Sequence, residues 1–138
     1  MAHEQGLRVP VVHDADVMPL VALTRAIRRL VEGVRGGTLD ARDSQGGTFT
    51  ITNPGALGSA ISSPIMNRGE TAILSLDAVE PRAVVVDGTI SVRQRAFMTL
   101  AFDHRVVDGG TAIAFLRAVE RHLASAELAS EAEAWAEI

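Results

Sequence analysis

Cysteine, tyrosine and lysine are all missing from the 138 residues of this chain. Without thiols there can be no disulfide scaffold, no Cys-rich zinc site and no cysteine nucleophile. Aromatic residues reach only 4%, so a core has to be aliphatic, built from Val, Leu, Ile and Ala. Excess positive charge is missing too. The 13 basic and 17 acidic residues leave a net charge of −4, which argues against the basic face of a nucleic-acid binder. Arg25, Arg28 and Arg29 are the one tight basic group, and their helical spacing reads as a solvated face rather than a phosphate site. No run approaches the roughly 20 apolar residues that span a bilayer. No basic segment followed by an apolar run opens the chain. The expectation is a cytoplasmic protein with neither nucleic acid nor membrane as partner.

What is present is the balance of a folded chain, 47% hydrophobic and 22% charged, and its length fits one domain over residues 1–138. Residues 1–6 read as a lead-in, and Leu7 to Val12 as a short extended segment that Pro10 restricts to an edge. Asp14 and Asp16 are turn or cap candidates before an amphipathic helix. Its apolar face is Leu20, Leu23, Ile27, Leu30, Val31 and Val34, and Gly36-Gly37 stops it. Thr48 to Thr52 are five β-favouring residues in a row, broken by Asn53-Pro54-Gly55. A small-residue loop leads to a strand from Thr71 to Leu76. Two β runs around Asp87-Gly88 predict a hairpin. A strand over Phe97 to Phe102 precedes a helix from Gly110 or Thr111 to Leu123, and an Ala- and Glu-rich helical tail closes the chain. The order is β-α-β-β-β-β-β-α, an α/β chain with a mixed, mostly antiparallel sheet and two main helices.

The chemistry concentrates in Asp103-His104-Arg105-Val106-Val107-Asp108-Gly109-Gly110, between an apolar strand and a helix start. Strand ends hold side chains rigidly and leave them accessible. An imidazole there, with an ordinary pKa of about 6.5, can take a proton at neutral pH. Asp108 can cap the helix, fix the loop that holds His104, or both. The residues alone leave His104 open to a purely structural role, and Thr52 to the role of an ordinary strand residue.

Asp-His-Arg-x-x-Asp-Gly resembles the active-site signature of the dihydrolipoyl acyltransferases of 2-oxo-acid dehydrogenase complexes, and its His-x-x-x-Asp-Gly core that of chloramphenicol acetyltransferase. Gly46 to Asn53 is similar to the family's second characteristic stretch, and Leu7 to Asp16 to its Val-Pro-Val-Ile-x-x-Ala-Asp stretch. Thr71 to Leu74 and the hairpin fall in register, so the resemblance runs from about residue 6 to residue 128, with 129–138 as tail. It implies a partial chloramphenicol-acetyltransferase-like two-layer sandwich. It further implies transfer of an acyl group between CoA and a thiol or hydroxyl acceptor, either a dihydrolipoyl group or a carrier-bound biosynthetic intermediate. His104 matches the family's general base. Thr52 matches the hydroxyl that hydrogen-bonds the oxyanion, an interaction worth roughly 3 kcal/mol. Asp108 matches the residue that shapes the active-site loop. Asp103 and Arg105 read as structural ion-pair partners. No metal is implied, and no residue is singled out for holding CoA.

The resemblance begins partway into the family's catalytic domain, and no lysine stands in a lipoyl-like hairpin. The expectation is a truncated catalytic domain without lipoyl or subunit-binding domains, any lipoyl group being carried by a separate protein. In the family, trimeric subunits share each active site. The expected partners are therefore further copies of the chain, or a second chain supplying the missing N-terminal half, together with a lipoyl or acyl carrier protein. The alternative is a non-catalytic or half-site subunit. Pro54 and the segment Asn67-Arg68-Gly69-Glu70 depart from the family pattern near the acceptor loop.

Overall fold

The computed structural model describes residues 2–3 and 6–125, and the tail helix expected from the sequence lies outside them. The described residues form two compact units, Thr48–Arg121 and the remainder.

In the smaller unit, β1 (Ala2–His3) pairs antiparallel with β2 (Gly6–Leu7). The extended segment expected over Leu7 to Val12 is not a strand beyond Leu7. Pro10 has no N–H to offer a ladder, and the Val11 N–H donates to the Asp43 carbonyl at 2.7 Å instead. The helix α1 (Leu20–Gly36) follows the expected periodicity. Leu30, Gly33 and Val34 are buried, whereas Ile27, placed on the apolar face by spacing, is 46% exposed. Neither Asp14 nor Asp16 caps α1. Pro19 occupies its N-cap position, and Asp14 adopts a left-handed conformation ahead of a separate 3-10 turn, Ala15–Val17. At the other end Gly37 sits at φ 65°. Its N–H bonds the Val34 carbonyl and that of Thr38 bonds Gly33, the paired closure that a left-handed glycine permits.

The larger unit is organised around β4 (Ala72–Leu76). On one side lies β3 (Thr50–Thr52), parallel to it; on the other lies β7 (Met98–Phe102), antiparallel. Ala72, Ile73, Leu74 and Ser75 are all buried, the pattern of a central strand covered on both faces. A separate ribbon pairs β5 (Glu80–Val86) with β6 (Thr89–Arg95). Asp87 and Gly88, at φ 50° and 76°, form its tight turn, which needs two positive φ values. The ribbon is longer than the β runs around Asp-Gly imply, since Pro81 is accommodated in an edge strand. Phe97 carries the Arg82 guanidinium over its ring, 4.9 Å from the centroid. The second helix, α2 (Gly109–Leu123), buries Ala112, and its Phe115 packs against Phe49 with ring centroids 5.6 Å apart. The architecture is mixed α/β with two helices and mixed sheets, as the sequence implies. No helix among the described residues is long and apolar enough to cross a membrane.

Candidate active site

His104 lies on the turn between β7 and α2, and Asp103 builds that turn. The Asp103 N–H donates to the Thr71 carbonyl at 2.9 Å, tying the turn to the sheet. Its carbonyl accepts from the N–H groups of Val106 and Val107 at 3.1 and 3.0 Å. Its carboxylate accepts from the Arg105 backbone N–H at 3.0 Å and, in a fork, from Arg105 Nε and Nη2 at 2.9 and 2.5 Å. The turn is thus closed by both backbone and side chain. His104 projects from it into solvent, its ring 5.5 Å from that of Phe102.

The Arg105 side chain first, and its backbone N–H second, hold the Asp103 carboxyl down at about 2, against an ordinary 3.8. The same pairing raises Arg105. A depressed carboxyl contributes fully above its unfolded pKa, and the contribution disappears as pH falls through the folded one. The stabilisation the pair gives the turn should therefore begin to fall near pH 3.8 and be largely lost by about pH 2. A carboxyl chemical-shift titration of Asp103 should show its midpoint there; a midpoint at 3.8 would mean that the pair does not hold in solution.

Asp108 opens α2. Its Oδ1 accepts the Thr111 N–H at 2.7 Å and its carbonyl the Ala112 N–H at 3.0 Å, the geometry of an N-cap. The bond from the Thr111 backbone is the main reason its carboxyl is lowered, with smaller contributions from the Thr111 side chain, the Gly110 backbone and the His104 charge. Asp108 therefore joins the end of the His104 turn to the start of a helix.

Thr52 ends β3. Thr50, on the same face, is buried; its hydroxyl donates to Glu70 Oε2 at 2.6 Å and accepts from Asn67 Nδ2 at 2.8 Å. Asn67 and Glu70 thus anchor β3. The hydroxyl of Thr52, by contrast, has no hydrogen bond among the described residues.

His104 and Asp108 come together on one turn, but Thr52 stays apart from both within the chain. Thr52 pairs with Ser75 on β4, whereas Asp103 is bonded to Thr71 at the opposite end of that strand. Four residues of strand amount to roughly 13 Å, and two strand spacings add about 10 Å across the sheet. Two side chains that act on one reacting group must each come within about 3 Å of it. Thr52 and His104 of the same chain do not meet that condition.

A buried polar cluster that the sequence reading passed over lies beside Thr52. Ser75 and Asp77 are 0% and 1% exposed. Asp77 accepts from Ser59 Oγ at 3.1 Å and from the Ser62 N–H at 3.2 Å, and Ser62 and Ser75 share a hydroxyl bond of 2.6 Å. A serine within the otherwise apolar strand 72–76 and a charged residue directly after it were the available signals. Among the described residues no group of three or more His, Cys, Asp or Glu side chains converges as a metal site would require.

The fold is that of a mixed α/β domain presenting a histidine between a strand and a capped helix. The model of the 2-oxoacid dehydrogenases acyltransferase (catalytic domain) matches residues 1–130, and the chain belongs to this family. It is 47% identical over 124 residues to the dihydrolipoyllysine-residue succinyltransferase component of the 2-oxoglutarate dehydrogenase complex of Bartonella vinsonii, covering 90% of this chain and 30% of that protein. The crystal structure of a probable dihydrolipoamide acetyltransferase from Listeria monocytogenes superposes with a TM-score of 0.83 at 36% identity, over 88% of this chain and 52% of that one. Dihydrolipoamide acetyltransferase of Azotobacter vinelandii gives 0.82 at 34% identity, over 88% and 50%. That structure was studied for the role of a serine, a histidine and an asparagine in its catalytic mechanism. The chain spans about three-tenths of the length of the curated relative and about half of the solved chains.

Proposed function

We propose that this chain catalyses acyl transfer between CoA and a dihydrolipoyl group, at sites shared between copies of the chain. His104 takes the proton from the acceptor thiol, and the thiolate attacks the thioester carbonyl. The Thr52 hydroxyl of a neighbouring copy donates to the resulting oxyanion. Collapse of the tetrahedral intermediate expels the CoA thiolate, which recovers the proton from the imidazolium. Asp108 holds the turn that carries His104.

The observation that carries this reading is the strand register, which keeps Thr52 and His104 of one chain at opposite ends of β4. A shared site brings such residues together without moving either strand. Two further observations support it. In the Azotobacter protein the separations from serine to histidine and from histidine to asparagine equal those from Thr52 to His104 and from His104 to Asp108 here. Along β3 and the loop that follows it, Ile51, Leu57, Ile61 and Ile65 are 72%, 88%, 68% and 89% exposed, apolar surface of the kind that partner contacts cover.

The test is subunit complementation. His104→Ala and Thr52→Ala chains, each assayed alone for acetyl-CoA or succinyl-CoA turnover with dihydrolipoamide, should be inactive or nearly so. Co-expressed, they should regain a substantial share of wild-type turnover, because some interfaces then pair an intact His104 with an intact Thr52. Failure to recover would rule out sites shared in this way. Turnover only with a hydroxyl acceptor, or only after adding a second polypeptide, would replace the acceptor or the partner named here.

A further inference from the structure

Thr52 is followed by a loop with unusual internal order. Asn53 Oδ1 accepts the Ala56 N–H at 3.2 Å, the Gly58 N–H reaches the Gly55 carbonyl at 2.9 Å, and the Ser59 N–H reaches the Pro54 carbonyl at 3.3 Å. Pro54 restricts φ at the start of this turn. Residues 53–59 therefore form a stiff unit joined directly to Thr52. Where this unit docks decides the direction in which the last residue of β3 points.

It docks on the end of β4, and Asp77 is the hub. Gly55 lies so close to the backbone of Asp77 and Ala78 that a Cβ would overlap both. The Ala78 N–H donates to the Ser59 carbonyl at 2.8 Å. The two Asp77 oxygens divide between Ser59 Oγ and the Ser62 N–H, and Ser75, the register partner of Thr52, bonds the Ser62 hydroxyl. Burying a carboxylate is costly unless it is well bonded. The loop presents two donors side by side, and a carboxylate supplies two acceptors in one fork.

We infer that Asp77 is a positioning residue for the Thr52 hydroxyl. Through Ser59 and Ser62 it fixes the 53–62 loop, and through that loop the direction of the oxyanion donor. The inference rests on the proposed role of Thr52. Asparagine can keep this arrangement, because Oδ1 accepts from Ser62 while Nδ2 donates to the Ser59 hydroxyl, which can serve as either partner. Alanine cannot.

The experiment uses the whole chain, with Asp77→Ala, Asp77→Asn, Ser59→Ala and Thr52→Ala, and the Asp77→Ala/Thr52→Ala double variant. A misplacement of about 1 Å at a reacting group costs on the order of 10²-fold. Asp77→Ala should therefore lower kcat by roughly that factor with the KM for acyl-CoA nearly unchanged. Asp77→Asn should recover most of the loss, and Ser59→Ala should fall between. In the Thr52→Ala background, Asp77→Ala should cost little further. Effects that multiply in the double variant would overturn the inference while leaving the Thr52 reading intact. A Thr52→Ala chain with wild-type kcat would overturn that reading itself. Amide hydrogen exchange provides the readout that needs no turnover. Exchange at Ala56, Gly58, Ser59 and Ser62 should accelerate in Ser59→Ala, the mildest change, with α2 unaffected; unchanged loop protection would also overturn the inference.

Discussion

Replacing His104 with alanine should lower acyl-transfer kcat by about 10²–10⁴-fold, the range that a positioned general base contributes. The effect should fall on kcat and leave folding alone, because the imidazole projects into solvent and the turn beneath it is held by Asp103. The Asp103 bonds to Thr71, Val106, Val107 and Arg105 do not involve the His104 side chain. Steady-state kinetics beside a thermal unfolding scan would separate the two effects. Turnover within a few-fold of wild type would assign the proton transfer to another group. A large drop in melting temperature would mean that His104 supports the turn rather than the chemistry.

The second large effect is on stability. Gly55→Ala should cost about 1–3 kcal/mol, the usual range for forcing extra volume into a packed site. The atoms in the way are the Asp77 and Ala78 backbone, which follows directly on the central strand, and backbone yields less readily than a flexible side chain. Gly58→Ala is the control. Gly58 has φ 88° and open space around its Cβ position, so its cost is the left-handed strain alone, roughly 1–2 kcal/mol. Urea denaturation of both variants would measure the costs, and loop hydrogen exchange would tell them apart. Gly55→Ala should loosen protection through Ser62, because it pries the loop from β4. Gly58→Ala should leave the bonds to Asp77 in place. Identical exchange patterns would mean that the close approach at Gly55 is relieved without undocking the loop.

Several parts of this molecule were legible from residue order alone. Both helices follow from apolar spacing, the stop at Gly36-Gly37 from glycine's access to positive φ, and the hairpin turn from Asp87-Gly88. Each is a local property, set by the conformations a few neighbouring residues can adopt. The segment around His104 was legible for a related reason, since charged residues and glycines crowded between an apolar strand and a helix mark a turn that presents side chains. Local preference lost where it met a distant competitor. Leu7 to Val12 has strand composition, yet Val11 spends its N–H on Asp43. Ile27 fits the buried stripe of α1 and remains half exposed.

By itself the sequence determined both helices, the hairpin and the central strands, the identity of His104, Thr52 and Asp108 as candidates, and the family that their spacing resembles. These depend on residue type and separation along one chain. Only the tertiary structure decided that β3 runs parallel to β4, that Thr52 and His104 therefore end up at opposite ends of that strand, and that Asp77 joins Ser59 and Ser62 beneath the loop. Strand direction and register arise from pairings between residues more than 20 positions apart. No local conformational preference carries that information, because each of these strands would be extended whichever way it paired.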